Sequence, residues 1–191
     1  MAGKTAEKYA KYMFPTVRTL YEEPVVMVRG SGHYLYDEDG KEYLDFFGGI
    51  LTCGIGHANP KVAEAVSKQA HTLQHCSTLY VIPKQVELAE RLLEIAPRGI
   101  NKFTFANSGT DAIEAAILMA QIATGNDEVI ALRHSYSGRS KLAIELTALH
   151  NWKQGMAPSG NVKYTHNGYC YRCAFGLEYP SCGMKCAYDL E

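Results

Sequence analysis

Aromatic and polar residues alternate on both sides of an Asp-Gly turn at residues 37–40. The alternating segment runs from Gly32 to Gly48 and reads GHYLYDEDGKEYLDFFG. Glycine supplies the positive φ that a tight turn between two strands requires, and alternation places one set of side chains on each face of a strand. This segment therefore predicts a β-hairpin.

Apolar residues then recur every three or four positions, which is typical of helices with one apolar face. In the first of these segments, Asn59 can cap a helix and Pro60 suits its first position. The apolar stripe continues to Leu73. A second stripe runs from Pro83 to Ala96 and stops before Pro97. The sequence therefore predicts two amphipathic helices after the hairpin.

The remaining pattern alternates between β-like and helical segments. We predict strands at 102–106 and 128–132, with an apolar helix at 110–123 between them. Such a βαβ unit requires parallel strands and a right-handed crossover. A helix from Arg139 to His150 and a strand near Val162 extend the order, so the predicted fold class is α/β with a mainly parallel sheet. Because helix 110–123 is apolar nearly all round, we expect it to be covered on both sides.

Composition and charge limit the possible classes of protein. The chain has 191 residues, 47% of them hydrophobic and 20% charged, with a formal net charge of −1. This is a globular balance, and the charge gives no reason to expect nucleic acid or an anionic membrane as a partner. No apolar run is long enough to span a bilayer, and the N-terminal residues lack the apolar core of a secretory signal. We expect a cytoplasmic location.

Four of the six cysteines lie close together near the end of the chain, in CYRCAFGLEYPSCGMKC. Their spacing is C-x2-C, eight residues, then C-x3-C, formed by Cys170, Cys173, Cys182 and Cys186. In a reducing compartment such a cluster favours metal binding over disulfides. The gap between the pairs is shorter than in zinc ribbons. A structural zinc site and a thiol-rich surface insertion at residues 168–187 both remain open.

Two turns at predicted strand ends carry the candidate binding chemistry. Ser108, Gly109 and Thr110 stand where a strand meets the N-terminus of a helix, and unpaired N–H groups there favour a phosphate. A serine or threonine that only caps a buried helix is the alternative. The chain contains no G-x-x-x-x-G-K-[ST] motif, which excludes a P-loop. After the next strand, Tyr136 precedes Ser137 and Gly138, so an aromatic ring could lie beside the phosphate.

These turns resemble motifs of a known family. NSGTDAIEAAI, from Asn107 to Ile117, resembles the phosphate-binding motif of the class-III aminotransferases, which are pyridoxal-phosphate (PLP) enzymes of fold type I. YSGR resembles the aromatic turn that stacks on the pyridine ring in this family. DEDGKEYLDFFGGI and GIGHANPKVAEAV resemble its N-terminal signature beside the substrate pocket. The order and spacing of the three motifs agree over roughly residues 12 to 169.

The resemblance implies a cofactor, site residues and a reaction. Gly109 and Thr110, with Ser108 close by, would hold the phosphate of PLP, and Tyr136 in the turn with Ser137 and Gly138 would stack on the ring. Ser137 departs from the family, which usually has histidine there. The N-terminal signature, which reads YLDFFGGILTCGIGH here, implies transamination between alanine, β-alanine or another ω-amino acid and glyoxylate or pyruvate. It also implies a homodimer.

The same resemblance implies that part of the catalytic machinery lies elsewhere. In the family, the lysine that forms a Schiff base with PLP and the aspartate on the pyridine nitrogen come later in a longer chain. We therefore expect an N-terminal fragment without a catalytic residue. It would comprise a small-domain segment at 1–80 and the start of the PLP-binding domain at 81–191. The rival hypotheses are a non-catalytic structural subunit with the PLP fold and a zinc-stabilised binding module.

The isolated histidines carry no assignment. His57 lies in GIGHANP, where a hydrogen-bonded turn residue is more common than a catalyst, and we give it no role. His71 and His75 are spaced for one helix face, without a carboxylate nearby in sequence. They indicate a surface helix.

Overall fold

The computed structural model describes residues 3–15, 19, 21–153 and 160–190. The chain divides into two compact units, Met1–Pro83 and Lys84–Glu191. Each unit has its own sheet, and we describe them separately. No helix among these described residues is long and apolar enough to cross a membrane.

The first unit is a three-stranded antiparallel sheet with flanking helices. The strands pair in the order β1-β2-β3. The predicted hairpin is confirmed, because Tyr34 of β2 pairs with Leu44 of β3 across the Asp-Gly turn. Asp37 holds the turn through Oδ1, which accepts the N–H groups of Asp39 and Lys41. The elements are α1 (Lys4–Tyr12), β1 (Met27–Ser31), β2 (Tyr34–Asp37), β3 (Glu42–Leu44), α2 (Gly48–Leu51) and α3 (Pro60–Thr72).

Helix α3 begins as the sequence predicts. The Asn59 side chain accepts the N–H groups of Lys61 and Val62, and Pro60 occupies the first helical position. These bonds satisfy donors that a helix cannot pair internally. The apolar stripe of α3 is not buried, however, and Val66 is 62% exposed.

The second unit contains a two-stranded parallel sheet and three helices. Strand β4 pairs with β5 in parallel, with Val129 opposite Val162 and Leu132 opposite Thr165. Short 3-10 turns at His150–Trp152 and Cys170–Arg172 flank β5. The elements are α4 (Pro83–Leu93), α5 (Gly109–Thr124), β4 (Val129–Leu132), α6 (Lys141–Leu146) and β5 (Val162–Thr165).

Two predictions for this unit are wrong. Residues 102–106 form no strand, so the predicted parallel pairing with 128–132 does not occur, and the parallel partner of β4 is β5. Alternation gives a segment β-propensity, but a strand also needs a neighbour to accept its hydrogen bonds. The helix predicted from Arg139 to His150 is shorter in the structure, where it is α6 (Lys141–Leu146). It stops because Thr147 turns to an extended conformation and its hydroxyl donates to the carbonyl of Ala143.

The core of the second unit lies between the sheet and two helices. Ala131 of β4, Leu146 of α6 and Val162 of β5 are buried together, and Ile117 of α5 packs against them. No residue of α5 is buried, and Ile122 is 75% exposed. The expected cover on both sides of α5 is therefore not found. One face touches the core and the other is open.

Candidate functional site

Ser108 caps α5, as in the alternative that the sequence left open. Its Oγ accepts the N–H of Asp111 at 3.2 Å and donates to Asp111 Oδ2 at 2.9 Å. The Ser108 hydroxyl thus caps the helix and is itself held by the Asp111 side chain. The Ser108 hydroxyl is therefore already engaged at the start of the helix.

The next two N–H groups of α5 are free. Within the described part of the chain, the N–H groups of Gly109 and Thr110 have no acceptor, whereas Ala112 N–H donates to the Ser108 carbonyl. A Cβ built on Gly109 would meet no atom within 4 Å. Unpaired donors at the positive end of a helix dipole attract an anion, and the open space lets it approach. This end of α5 can hold a phosphate.

The two motifs come into contact at Thr110 and Gly138. A Cβ built on Gly138 would lie 2.2 Å from Thr110 Oγ1 and 3.1 Å from the Cβ of Ala143. The φ of Gly138 is +133°, a value that side chains rarely allow. Glycine is therefore needed here both for backbone conformation and for close approach. The YSGR turn packs directly on the first turn of α5.

Sequence reasoning missed the residue that holds this turn in place. Thr147 is fully buried, and its Oγ1 accepts the N–H of Ser137 at 3.1 Å while donating to the Ala143 carbonyl at 2.8 Å. Ser135 Oγ also donates to the Leu146 carbonyl, at 2.8 Å. Both bonds connect the turn to the end of α6. A threonine just after a short apolar helix was the available signal.

The Tyr136 ring is half-exposed beside the site. It meets Trp152 edge to face, with the ring centroids 5.9 Å apart and the planes at 71°. This is a favourable aromatic arrangement, and it fixes the orientation of the tyrosine. Because 51% of Tyr136 remains exposed, a planar ligand can still reach it.

Helices α5 and α6 are joined near the same point. The Ser140 hydroxyl donates to Glu114 Oε1, and it also accepts the N–H of Ala143 as the cap of α6. Glu114 lies one turn into α5, after the free N–H groups. This link fixes the N-terminal end of α5 against the turn that carries Tyr136.

In the first unit, the side chains of Asp45 and His57 form a hydrogen bond. His57 Nε2 lies 2.6 Å from Asp45 Oδ2, and Asp45 Oδ1 accepts the N–H groups of Phe47 and Gly48 at 2.9 Å. The hydrogen bond from His57, followed by the bond from Gly48, lowers the pKa of Asp45. His57 is therefore a hydrogen-bonded turn residue, as its motif suggested, with Asp45 as its partner.

This pair holds an unusual turn. Helix α2 follows Asp45 directly, and both Gly49 and Ile50 adopt left-handed conformations there. A β-branched residue in this region is strained. The two backbone bonds to Asp45 support the strained segment, which lies in the motif that the resemblance places beside the substrate pocket.

We expect the Asp45→Asn variant to melt at a lower temperature than the unmodified chain at pH 7. A carboxyl with a lowered folded-state pKa stabilises the protein above its unfolded pKa of about 3.9, and this stabilisation is lost as pH falls through the folded value. The unmodified chain should therefore lose melting temperature below about pH 4, and the variant should lose less.

Thermal melts from pH 7 to pH 2 measure both effects. The exposed Asp39 provides a control, since Asp39→Asn removes a carboxylate from the same unit. It should leave the pH 7 midpoint near that of the unmodified chain. Equal pH profiles for the two variants would contradict a stabilising role for Asp45.

Comparison with known proteins identifies the family. The class-III aminotransferase family model matches residues 17–173. The chain is 35% identical over 184 residues to alanine–glyoxylate aminotransferase 2 homolog 2 of Arabidopsis thaliana, which covers 96% of this chain and 38% of that protein. It is 40% identical over 142 residues to acetylornithine aminotransferase of Archaeoglobus fulgidus. This match covers 74% of this chain and 37% of that protein.

Solved structures show the same fold. An (S)-enantioselective omega-transaminase from Thermomicrobium roseum superposes with a TM-score of 0.84 at 29% identity, covering 97% of this chain and 44% of that one. An omega transaminase from Pseudomonas jessenii in complex with PMP superposes with a TM-score of 0.83 at 26% sequence identity. The match covers 96% of this chain and 44% of that one. The chain thus spans less than half the length of these relatives. It belongs to the class-III aminotransferases, a family of PLP-dependent enzymes with the fold of the known transaminases.

Proposed function

We propose that the second unit holds the phosphate and ring of PLP for a transamination reaction. The observation that carries this proposal is the pair of free N–H groups on Gly109 and Thr110, in an open space beside the Gly138 turn. A cradle of this kind fits a phosphate monoester. The half-exposed Tyr136 ring fits the flat pyridine at the same place.

Each residue of the cradle has a separate task. The N–H groups and the Thr110 hydroxyl bind the phosphate, Ser108 fixes the start of the helix, and Tyr136 orients the ring. Gly138 permits the close approach, while the N–H of Ser137 is held by Thr147. When bound, PLP supplies an electron sink for the substrate carbanion. We assign no catalytic residue in this chain.

The proposed reaction exchanges an amino group between a small amino acid and a keto acid. The donors would be alanine, β-alanine or another ω-amino acid, and the acceptors glyoxylate or pyruvate. Relatives named for alanine, glyoxylate and acetylornithine support this substrate class. We also propose a homodimer in the cytoplasm. Highly exposed apolar residues of the first unit, such as Phe46 and Leu51, support a protein partner.

Trp152 offers a direct test of the site, because it is the only tryptophan of the chain and lies against Tyr136. PLP should quench its fluorescence with saturation, and pyridoxal without phosphate should do so much more weakly. Thr110→Val keeps the shape of the side chain but removes the hydroxyl. Hydrogen bonds to charged groups contribute about 1.5–3 kcal/mol, so this variant should bind PLP roughly 10- to 100-fold more weakly.

Thr124→Val is the matched control. Thr124 lies at the far end of α5, where its hydroxyl donates to the Ala120 carbonyl of the same helix. This variant should titrate like the unmodified chain. Equal quenching by PLP and pyridoxal, or equal weakening in the two threonine variants, would contradict the proposed phosphate site.

A further inference from the structure

The four clustered cysteines line a single cavity in the second unit. This thiol segment, residues 168–187, surrounds the cavity with Cys170, Cys173, Cys182 and Cys186. The cavity has a volume of about 20 Å³, enough for about one water-sized particle. A single ion fits this volume. The fold thus brings together two pairs that eight residues separate.

The first pair lies on a tight turn. Gly176 closes this turn with a φ of +65°, and its N–H donates to the Cys173 carbonyl at 3.1 Å. The turn brings Cys173 to the cavity that Cys170 also lines.

The second pair lies on a similar series of turns. Cys182 N–H donates to the Glu178 carbonyl, and Lys185 N–H donates back to the Cys182 carbonyl. Gly183 has a φ of +57° and reverses the chain between them. These turns bring Cys182 and Cys186 to the cavity without a helix or a strand.

The thiol segment is held against the end of β5 by a residue in its middle and by one just after it. The His166 ring, just after β5, packs on the Phe175 ring with centroids 4.8 Å apart. Asp189, beyond the last cysteine, accepts the N–H of His166 at 3.1 Å and lies 2.6 Å from its Nδ1. A metal would therefore bind within a segment that the rest of the unit already holds in place.

We propose that Cys170, Cys173, Cys182 and Cys186 form a tetrathiolate site for Zn²⁺. As the side chains stand, no three His, Cys, Asp or Glu side chains of the described residues surround one metal position. None of the four is in a disulfide among the described residues, so zinc binding requires the sulfurs to move closer together and release their thiol protons to solvent. Tetrahedral binding by two close cysteine pairs is a known structural zinc arrangement. The site is separate from the proposed PLP cradle.

Metal binding to the 191-residue chain tests this site without any activity measurement. After purification with reductant and without chelator, metal analysis should find about one zinc ion per chain. Exchange of zinc for Co²⁺ should give the near-ultraviolet thiolate-to-cobalt charge-transfer absorption and the strong visible bands of a tetrahedral site. Failure to find thiolate absorption in the cobalt-loaded unmodified chain would overturn the proposal.

Serine variants identify the ligands. Cys170→Ser, Cys173→Ser, Cys182→Ser and Cys186→Ser should each lower zinc affinity by at least about 100-fold, since even outer-shell changes lower it by 10- to 100-fold. Cys53→Ser and Cys76→Ser are matched controls outside the segment and should bind zinc unchanged. Zinc that stays bound when all four cysteines are replaced, or disulfides among the four in the zinc-treated chain, would contradict the tetrathiolate site.

Discussion

Gly138→Ala is expected to lower the free energy of unfolding by about 2–4 kcal/mol. The added methyl group would lie 2.2 Å from Thr110 Oγ1 and 2.9 Å from Thr110 Cβ, in a backbone conformation that side chains rarely adopt. Relief requires the turn to move away from α5. For a chain of this size, the melting temperature should fall by roughly 5–15 °C.

Alanine variants of two other glycines separate the effect of backbone strain from the effect of the steric clash. Gly99 has a φ of +94° but open space around it, so Gly99→Ala tests backbone strain alone. Gly109 has open space and no such φ, so Gly109→Ala should leave stability unchanged while crowding the phosphate cradle. Thermal melts compare the three variants, and Trp152 quenching reports on PLP. If the Gly138→Ala variant had the same melting temperature as the unmodified chain, the contact between Gly138 and Thr110 would not be tight.

Local signals in the sequence predicted the parts of the fold that depend on neighbouring residues. The Asp-Gly hairpin and the Asn59 cap are confirmed because a turn or a cap is determined within a few positions. The same holds for α5, which begins one residue before the predicted helix and ends one residue after it. Ser108 caps it through a residue only three positions away.

Other features depend on contacts that no short window contains. Residues 102–106 have the alternation of a strand but lack a partner. Thr147 ends α6 early, and its hydroxyl holds a turn ten residues back in the chain. Asp45 and His57 meet across twelve positions without any periodic pattern. Sequence could assign these residues a type of environment, but only the folded chain identifies their partners.

The candidate site was predicted from motifs rather than from geometry. Because ligands gather at the carboxyl ends of parallel strands, the two motifs predicted that Thr110 and Tyr136 lie close together. The structure instead joins the two motifs through Gly138, with no strand before α5. None of the sequence motifs includes Trp152. Its contact with Tyr136 makes it part of the site.

The chain alone is expected to bind PLP weakly and reversibly, without a stoichiometric adduct fixed by borohydride. The proposed phosphate cradle offers two N–H groups and one hydroxyl, and we assign no catalytic lysine to this chain. Lys163 Nζ donates to the Gly160 carbonyl and lies 3.5 Å from Glu128, while Lys141 occupies the first turn of α6. Absorbance spectra with added PLP, before and after borohydride, measure the adduct.

The open face of α5 should also cause aggregation. Leu118, Met119 and Ile122 are exposed on one side of the helix, whereas Ile117 packs on the core. Exposed apolar surface of this kind favours association. On sizing chromatography we expect large species, and Leu118→Lys combined with Ile122→Lys should shift the protein toward a monomer. Ile117→Lys should instead unfold the second unit, because a charge would enter the core.

A monodisperse chain that carries one borohydride-fixed PLP would contradict both expectations. Peptide mapping would then identify the modified lysine, and Lys141 and Lys163 would need to be considered as catalytic. Loss of the adduct in Lys141→Arg but not in Lys163→Arg would point to the start of α6, which Ser140 joins to α5 through Glu114. Loss of the adduct in Lys163→Arg but not in Lys141→Arg would point to Lys163 on β5. Either result would place the reactive amine within the second unit, so no lysine from outside this chain would be required for the covalent step.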